Sequence, residues 1–394
     1  MTDSPNRNSK RSLLVLFSVI VIDLVGFGIV VPILPYYAKS LDTSPTTLGF
    51  LLAVYPAFQF IFSPIWGRLS DRIGRKPVML ATILGTAGAL TLLGVSHSLL
   101  GLFAGRILGG IFGANISVAT AYVADVTRED ERTRWMGMVG ASFGVGFLIG
   151  PAIGGVLAPF GYGVPMLVAA GLAAVNFLYA VVVLKEPPSH RPVAGGRVPI
   201  RVLASAQVRN LCATYFLFTF AVTQLETVFA YFMKDSFGYD VPQVAWILVL
   251  MALVMASIQG GAIRRLVTRF GERNLVIFGV TLMGVSFATM PWPRVVGVLL
   301  VPLLGSAVGR AVSQPSLLGL VSFQTTHTTR GAVMGVFQAS ASAARVVGPL
   351  AAGALYDWKH SAPFLLASLL MIVALGTTNA LGMRREALDE GKPV

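Results

Sequence analysis

Apolar runs of about 20 residues recur along almost the whole chain, separated by short polar or charged turns. That length matches a helix crossing roughly 30 Å of hydrocarbon. The runs place spans at 12–37, 46–66, 77–95, 99–124, 135–158, 163–184, 208–232, 242–263, 274–291, 295–320, 331–354 and 361–382. A membrane barrel would need ten-residue segments of alternating polarity, which the sequence lacks, so the spans are read as helices. The pattern predicts an all-α membrane protein of twelve transmembrane helices. The longest gap holds Pro187, Pro188, Pro192, Gly195 and Gly196. It predicts an N-terminal six-helix half (1–184), a cytoplasmic linker (185–207) and a C-terminal six-helix half (208–394). The tail of the linker, RVPIRVLASAQ, is compatible with a short interfacial helix or with plain flexible chain.

The polar turns repeat. GRLSDRIGRKP at 67–77 has a weaker copy, RRLVTRFGER, at 264–273. At an offset of about 198, Gly150-Pro151 matches Gly348-Pro349, Met136-Gly137 matches Met334-Gly335, and Arg132 matches Arg330. Six spans per half give both halves the same orientation, a parallel duplication.

Composition agrees with a membrane protein: 55% of the 394 residues are hydrophobic and 12% charged, against about 25% charged in soluble domains. The net charge of +13 does not point to nucleic acid. With the N-terminus in the cytoplasm, only Lys39, Lys234, Arg294 and Lys359 fall outside, and Arg106, Arg310 and Arg345 within spans. Every other Lys and Arg lies on the cytoplasmic side, which puts both termini there. The first apolar run continues to about Tyr37 without a cleavage site, so it reads as a retained span. Cys212 is the only cysteine, and no nucleophile–base set, metal-ligand spacing or phosphate loop occurs. The expectation is a transporter, not an enzyme, with no metal and no cofactor, driven by a gradient.

Charged residues inside spans are expensive and mark function. Asp23 lies near the middle of helix 1. At that depth the ionised form is disfavoured, so its carboxyl is suited to taking up and releasing a proton near neutral pH. Arg106, in GRILGG of helix 4, is a permanent charge. Glu226 in helix 7 is the acid of the second half, although the offset sets Ala221 opposite Asp23. Gly146, Gly150 and Gly154 form a face almost free of side chains in helix 5, which permits close packing, and Pro151 bends that helix. In the 67–77 loop, Gly67, Arg68, Asp71, Arg72, Gly74 and Arg75 cluster cations about one acid. Asp125, at the inner end of helix 4, is expected to pair with Arg68 or Arg72.

The loop GRLSDRIGRKP is similar to the signature between helices 2 and 3 of the major facilitator superfamily, and the resemblance covers essentially the whole chain. GASFGVGFLIGPAIGG resembles the antiporter signature of its drug:proton exporters. DLVGFGIVVPILP, LLAVYPAFQFIFSP and GRILGGIFGANISVATAYVADVTREDERTRWMGMVGASFG look like the tetracycline-exporter branch. The resemblance implies a major facilitator fold and proton-coupled export of small amphiphilic molecules. It assigns proton coupling to Asp23, Arg106 and Glu226, and gating to the loop cluster, Asp125 and the glycine face. It places Gln59 and Asn115 on the cavity wall. Helix 3 (GTAGALTLLG) departs from that branch in having no acid, so a substrate other than metal–tetracycline is implied. In the second half Gln224, Arg310, Gln338 and Arg345 are cavity candidates. Phe58, Tyr122, Phe216, Phe220, Tyr231, Met251 and Met255 are candidates for an apolar wall. Arginines facing the cavity would suit an anionic or zwitterionic substrate; arginines bound to carbonyls or to Glu226 would suit a neutral or cationic one. The alternative is a carrier for a metabolite such as a sugar or organic acid. The expected setting is the lipid bilayer of the plasma membrane (the inner membrane of a double-membraned bacterium), as a multi-pass monomer.

Overall fold

In hydrocarbon a backbone polar group finds its partner inside the protein or not at all, and the regular elements here are helices. The computed structural model describes residues 7–113, 115–127, 129–187, 205–323 and 330–389; among these there is no strand. The centre of the expected linker, 188–204, lies outside the described residues.

The helices are α1 (Arg7–Lys39), α2 (Pro45–Ile73), α3 (Arg75–Val95), α4 (Leu99–Phe112), α5 (Asn115–Val126), α6 (Glu129–Leu157), α7 (Gly163–Val183), α8 (Ala206–Phe237), α9 (Val241–Ser257), α10 (Ile263–Thr289), α11 (Val296–Phe323), α12 (Arg330–Trp358) and α13 (Ala362–Asp389). Their ends follow local chemistry. Ser98 and Ser205 cap α4 and α8 by accepting from the Gly101 and Val208 amides. Gly238 closes α8 in the left-handed region, φ 68°.

The predicted spans differ in detail at two places. Span 4 is two helices, α4 and α5. The Gly113 amide donates to the Gly110 carbonyl, and the Gly113 carbonyl accepts from the Gln59 side chain. The α-helical ladder is therefore interrupted there. Span 8 runs on past its expected end: a π turn at Ile258–Ala262 joins α9 to α10, and the non-helical Gly271 inside α10 separates it from span 9. Among the described residues, seven helical stretches are long and apolar enough to cross a membrane. This is a multi-pass membrane protein.

Two compact units form: Met1–Thr43 with Val54–Ala194 and Tyr239–Val249, and Ser44–Ala53 with Gly195–Gly238 and Leu250–Val394. The same pairings build both. In the first, α1 packs on α6 and α7, and α3 on α4 and α7. In the second, α8 packs on α12 and α13, and α10 on α11 and α13. The duplication read from the loops thus extends to the packing. It extends to the backbone too: Gly74 (φ 111°, ψ 154°) and Gly271 (φ 74°, ψ 154°) turn the chain at matching positions, in a region that L side chains avoid.

Candidate functional site

Within the membrane part of the first unit, the charged residues gather around Tyr55. The Arg106 guanidinium lies over the Tyr55 ring, 4.5 Å from its centroid, and is buried. The Phe27 ring approaches from α1, with centroids 5.6 Å apart. Both Asp23 and Arg106 act electrostatically on the Tyr55 hydroxyl. The glycines of α4 make the room. A Cβ on Gly109 would stand 3.4 Å from the Tyr55 ring, and one on Gly113 only 2.6 Å from its hydroxyl. Gln59 sits one turn along α2, spent on the Gly113 carbonyl. The Asn115 side chain lies outside the described residues. The cluster brings one carboxyl and one guanidinium to bear on the same tyrosine.

The glycine face of α6 meets α1, the helix that carries Asp23. A Cβ on Gly150 would stand 2.5 Å from the Gly28 Cα, one on Gly146 2.6 Å from the Leu24 Cβ, and one on Gly154 2.8 Å from the Ile29 carbonyl oxygen. Pro151 lies inside the same helix.

At the end of α2, Arg75 is the hub. Its Nη1 is 2.5 Å from Asp71 Oδ1 and its Nε 2.7 Å from Asp125 Oδ2; Nη1 also donates to Ser70 Oγ at 2.6 Å. Asp125 therefore pairs with Arg75, not with Arg68 or Arg72 as the sequence reading expected. Arg68 and Arg72 point to the exposed side, while the turn at Gly74 folds Arg75 inward. Burial opposes the Arg75 charge, but its bonds to Asp125 and Asp71 outweigh that and raise its pKa. Glu186 completes the turn: its carboxylate accepts from the Arg75 amide (2.6 Å) and the Lys76 amide (2.9 Å), capping α3. Gly67 has no neighbour within 4 Å of a Cβ position, so nothing in this structure requires glycine there.

The second unit contains a small, partly open pocket. On one wall α8 presents Tyr215, Thr219, Val222, Thr223 and Glu226, a single helical stripe; Arg310 and Gln314 of α11 and Arg345 of α12 complete it. Arg310 Nη1 donates to Glu226 Oε1 at 2.6 Å. Tyr215 stacks flat on Phe337, centroids 4.1 Å apart. Gln224 is not part of the pocket. It is fully buried and donates to the Gly348 carbonyl at 3.0 Å; two residues from Glu226, it faces the opposite side of the helix. Gln338 is exposed two turns before Arg345 and does not line the pocket. The aromatic wall is also shifted: Tyr215 and Phe218 line it, while Phe216 and Phe220 contact each other, and Tyr122 is buried with its hydroxyl on the Lys185 carbonyl.

Sequence reasoning passed over Tyr55, Glu186, Tyr215 and Gln314. The stripe 215–219–222–226 was available from helical spacing. Glu186 gave no signal, because a single acid before two prolines reads as linker. Among the described residues no group of acids, His and Cys could hold a metal.

Comparison with known proteins agrees with this architecture. The family model described as Major Facilitator Superfamily matches residues 16–263 and 211–387. The chain is 31% identical over 368 residues to the class B tetracycline resistance protein of Escherichia coli, covering 91% of this chain and 90% of that one. It is 30% identical over 383 residues to multidrug resistance protein 2 of Bacillus subtilis (strain 168), covering 94% of each. Among solved structures, the human organic anion transporter MFSD10 superposes with a TM-score of 0.70 at 26% identity, over 94% of this chain and 99% of that one. A bacterial homologue of the human lysosomal transporter Spinster, in an inward-facing and occupied conformation, shares the fold at a TM-score of 0.79 and 12% identity, over 97% and 98%.

Proposed function

The chain belongs to the major facilitator superfamily, and we propose that it exports small amphiphilic molecules in exchange for protons, by alternating access. Export is supported by near full-length similarity to resistance proteins of both the tetracycline and the multidrug kind. Proton coupling rests on one observation, the placing of Asp23 and Arg106 about Tyr55. A carboxyl that is charged only when deprotonated and a guanidinium that stays charged act on the same tyrosine. The electrostatics of the cluster therefore differ between the two protonation states.

Substrate enters from the cytoplasm and leaves outside, where Asp23 takes up a proton; the proton is released inside after the carrier resets. The close seam between α1 and α6 carries movement of the glycine-faced helix to the one bearing Asp23. The Asp71–Arg75–Asp125 cluster, with Gly67, Arg68, Arg72 and Gly74 around it, biases the cycle at the cytoplasmic side. The carrier works as a monomer in the plasma membrane with both termini in the cytoplasm. It needs no cofactor, because the proton gradient supplies the energy.

The test is dye uptake into inside-out vesicles under an imposed pH gradient, wild type against Asp23→Asn. Gradient-driven uptake that disappears in the variant is expected. Uphill uptake unchanged in Asp23→Asn would refute proton coupling through this carboxyl.

A further inference from the structure

We infer that the pocket of the second unit receives the anionic group of an amphiphile, with Arg345 as its principal partner. This rests on the export reading for the pocket's place on the substrate path, and goes beyond it in naming the substrate's charge.

The pocket holds two guanidiniums and one carboxylate. Arg310 is committed to Glu226 at 2.6 Å. Arg345 makes no ion pair among the described residues, although it lines the same space. A guanidinium inside a membrane helix is costly to keep, and one left without a carboxylate has a charge to offer a ligand. Arg310 adds a second signal. Its Nε is buried and has no hydrogen-bond partner, a donor whose desolvation nothing in the protein offsets. Both guanidiniums can take a carboxylate or sulfonate by paired N–H donors.

Behind the polar lining, Tyr215 stacks on Phe337 with centroids 4.1 Å apart and lies 6.4 Å from Phe218, a buried aromatic backing that holds the pocket's shape. Gln314 and Thr219 supply neutral polar groups beside it. Against the anion stands Glu226, whose carboxylate competes for Arg310. Its charge limits the preference for an anion: removing the Glu226 charge raises the pocket from one net positive charge to two and frees Arg310. An anion therefore binds more tightly when Glu226 is neutral, whereas a cation binds less tightly.

Three probes that share one fluorophore and differ in charge test this: dansylglycine (anionic), dansylamide (neutral) and dansylethylenediamine (cationic). Binding is measured by fluorescence on the purified full-length protein in nanodiscs, without any gradient. Dansylglycine is expected to bind about tenfold more tightly than the other two. Arg345→Gln is expected to erase that margin while leaving dansylamide binding in place, which shows that the variant is folded. Arg345→Lys keeps part of the margin, and Glu226→Gln widens it. No dansylglycine binding, a preference for the cation, or a margin that survives Arg345→Gln overturns the inference. Failure of the export reading shows itself separately. Vesicles that ignore the pH gradient for all three probes would sink export while an anion margin at equilibrium stood. Gradient-driven uptake of the cationic probe only would keep export and sink the anion.

Discussion

Asp125 Oδ2 lies 2.7 Å from Arg75 Nε, fifty residues away in sequence, and Arg75 also holds Asp71. One guanidinium thus ties the ends of α2 and α3 to α5. The side chains of Arg75 and Asp125 are 8% and 10% exposed, whereas Asp71 is 50% exposed. The Asp125 bond is the one shielded from water.

Removing Arg75 should therefore cost much more than removing its neighbours. Arg75→Gln leaves Asp125 buried without its charge partner, a change that destabilises by about 3 kcal/mol when a buried pair is broken. Arg68→Gln and Arg72→Gln alter exposed side chains and should stay within about 0.5 kcal/mol. Thermal unfolding of the three variants in detergent gives the comparison. A melt for Arg75→Gln that overlays the other two would show that the hub carries no stability.

The seam between α1 and α6 predicts a contrast between two glycines of one helix. A Cβ at Gly150 would stand 2.5 Å from the Gly28 Cα, while at Gly144 it meets nothing within 4 Å. Gly150→Ala should force the helices apart and cost about 1–3 kcal/mol. Gly144→Ala should be tolerated, with melting and transport close to wild type. Equal effects at both positions would mean that the seam is not the constraint.

Glu186 is predicted to hold the start of α3. Its carboxylate takes the Arg75 and Lys76 amides, two of the four donors that a helix N-terminus leaves open. Glu186→Ala should cost about 0.5–2 kcal/mol and speed hydrogen exchange at the first turn of α3. Exchange there unchanged from wild type would show that water caps the turn equally well.

The sequence made some of this legible and hid the rest for definite reasons. The duplication was visible in the two charged loops and in the matched Gly150-Pro151 and Gly348-Pro349 pairs, and Gly74 and Gly271 carry it into the backbone. Glu226 stood out as a charge in a span, but its place in the pocket did not. That Gln224 turns away from it follows from the 100° step of a helix, and needed only a wheel. The partner of Asp125 was different. Choosing Arg75 over Arg68 and Arg72 depends on where the chain goes after Gly74, which spacing along α2 does not encode. Tyr55 stayed hidden because an aromatic in an apolar helix looks like packing until Arg106 is found above it.

Tyr55 gives the last prediction, since its ring and its hydroxyl are separable. The ring lies under Arg106 at 4.5 Å, and the hydroxyl feels both Asp23 and Arg106. A desolvated cation–π contact is worth about 1–2 kcal/mol, and about 1.4 kcal/mol is tenfold in rate. Tyr55→Leu removes ring and hydroxyl together, so gradient-driven uptake in vesicles should fall roughly tenfold. Tyr55→Phe keeps the ring over the guanidinium and should lose less. The order of the two variants carries the information. If Phe is as damaging as Leu, the hydroxyl between Asp23 and Arg106 is the part that matters. If Leu transports like wild type, Arg106 is held by something other than the ring, and the cluster is not the proton-coupling unit proposed for it.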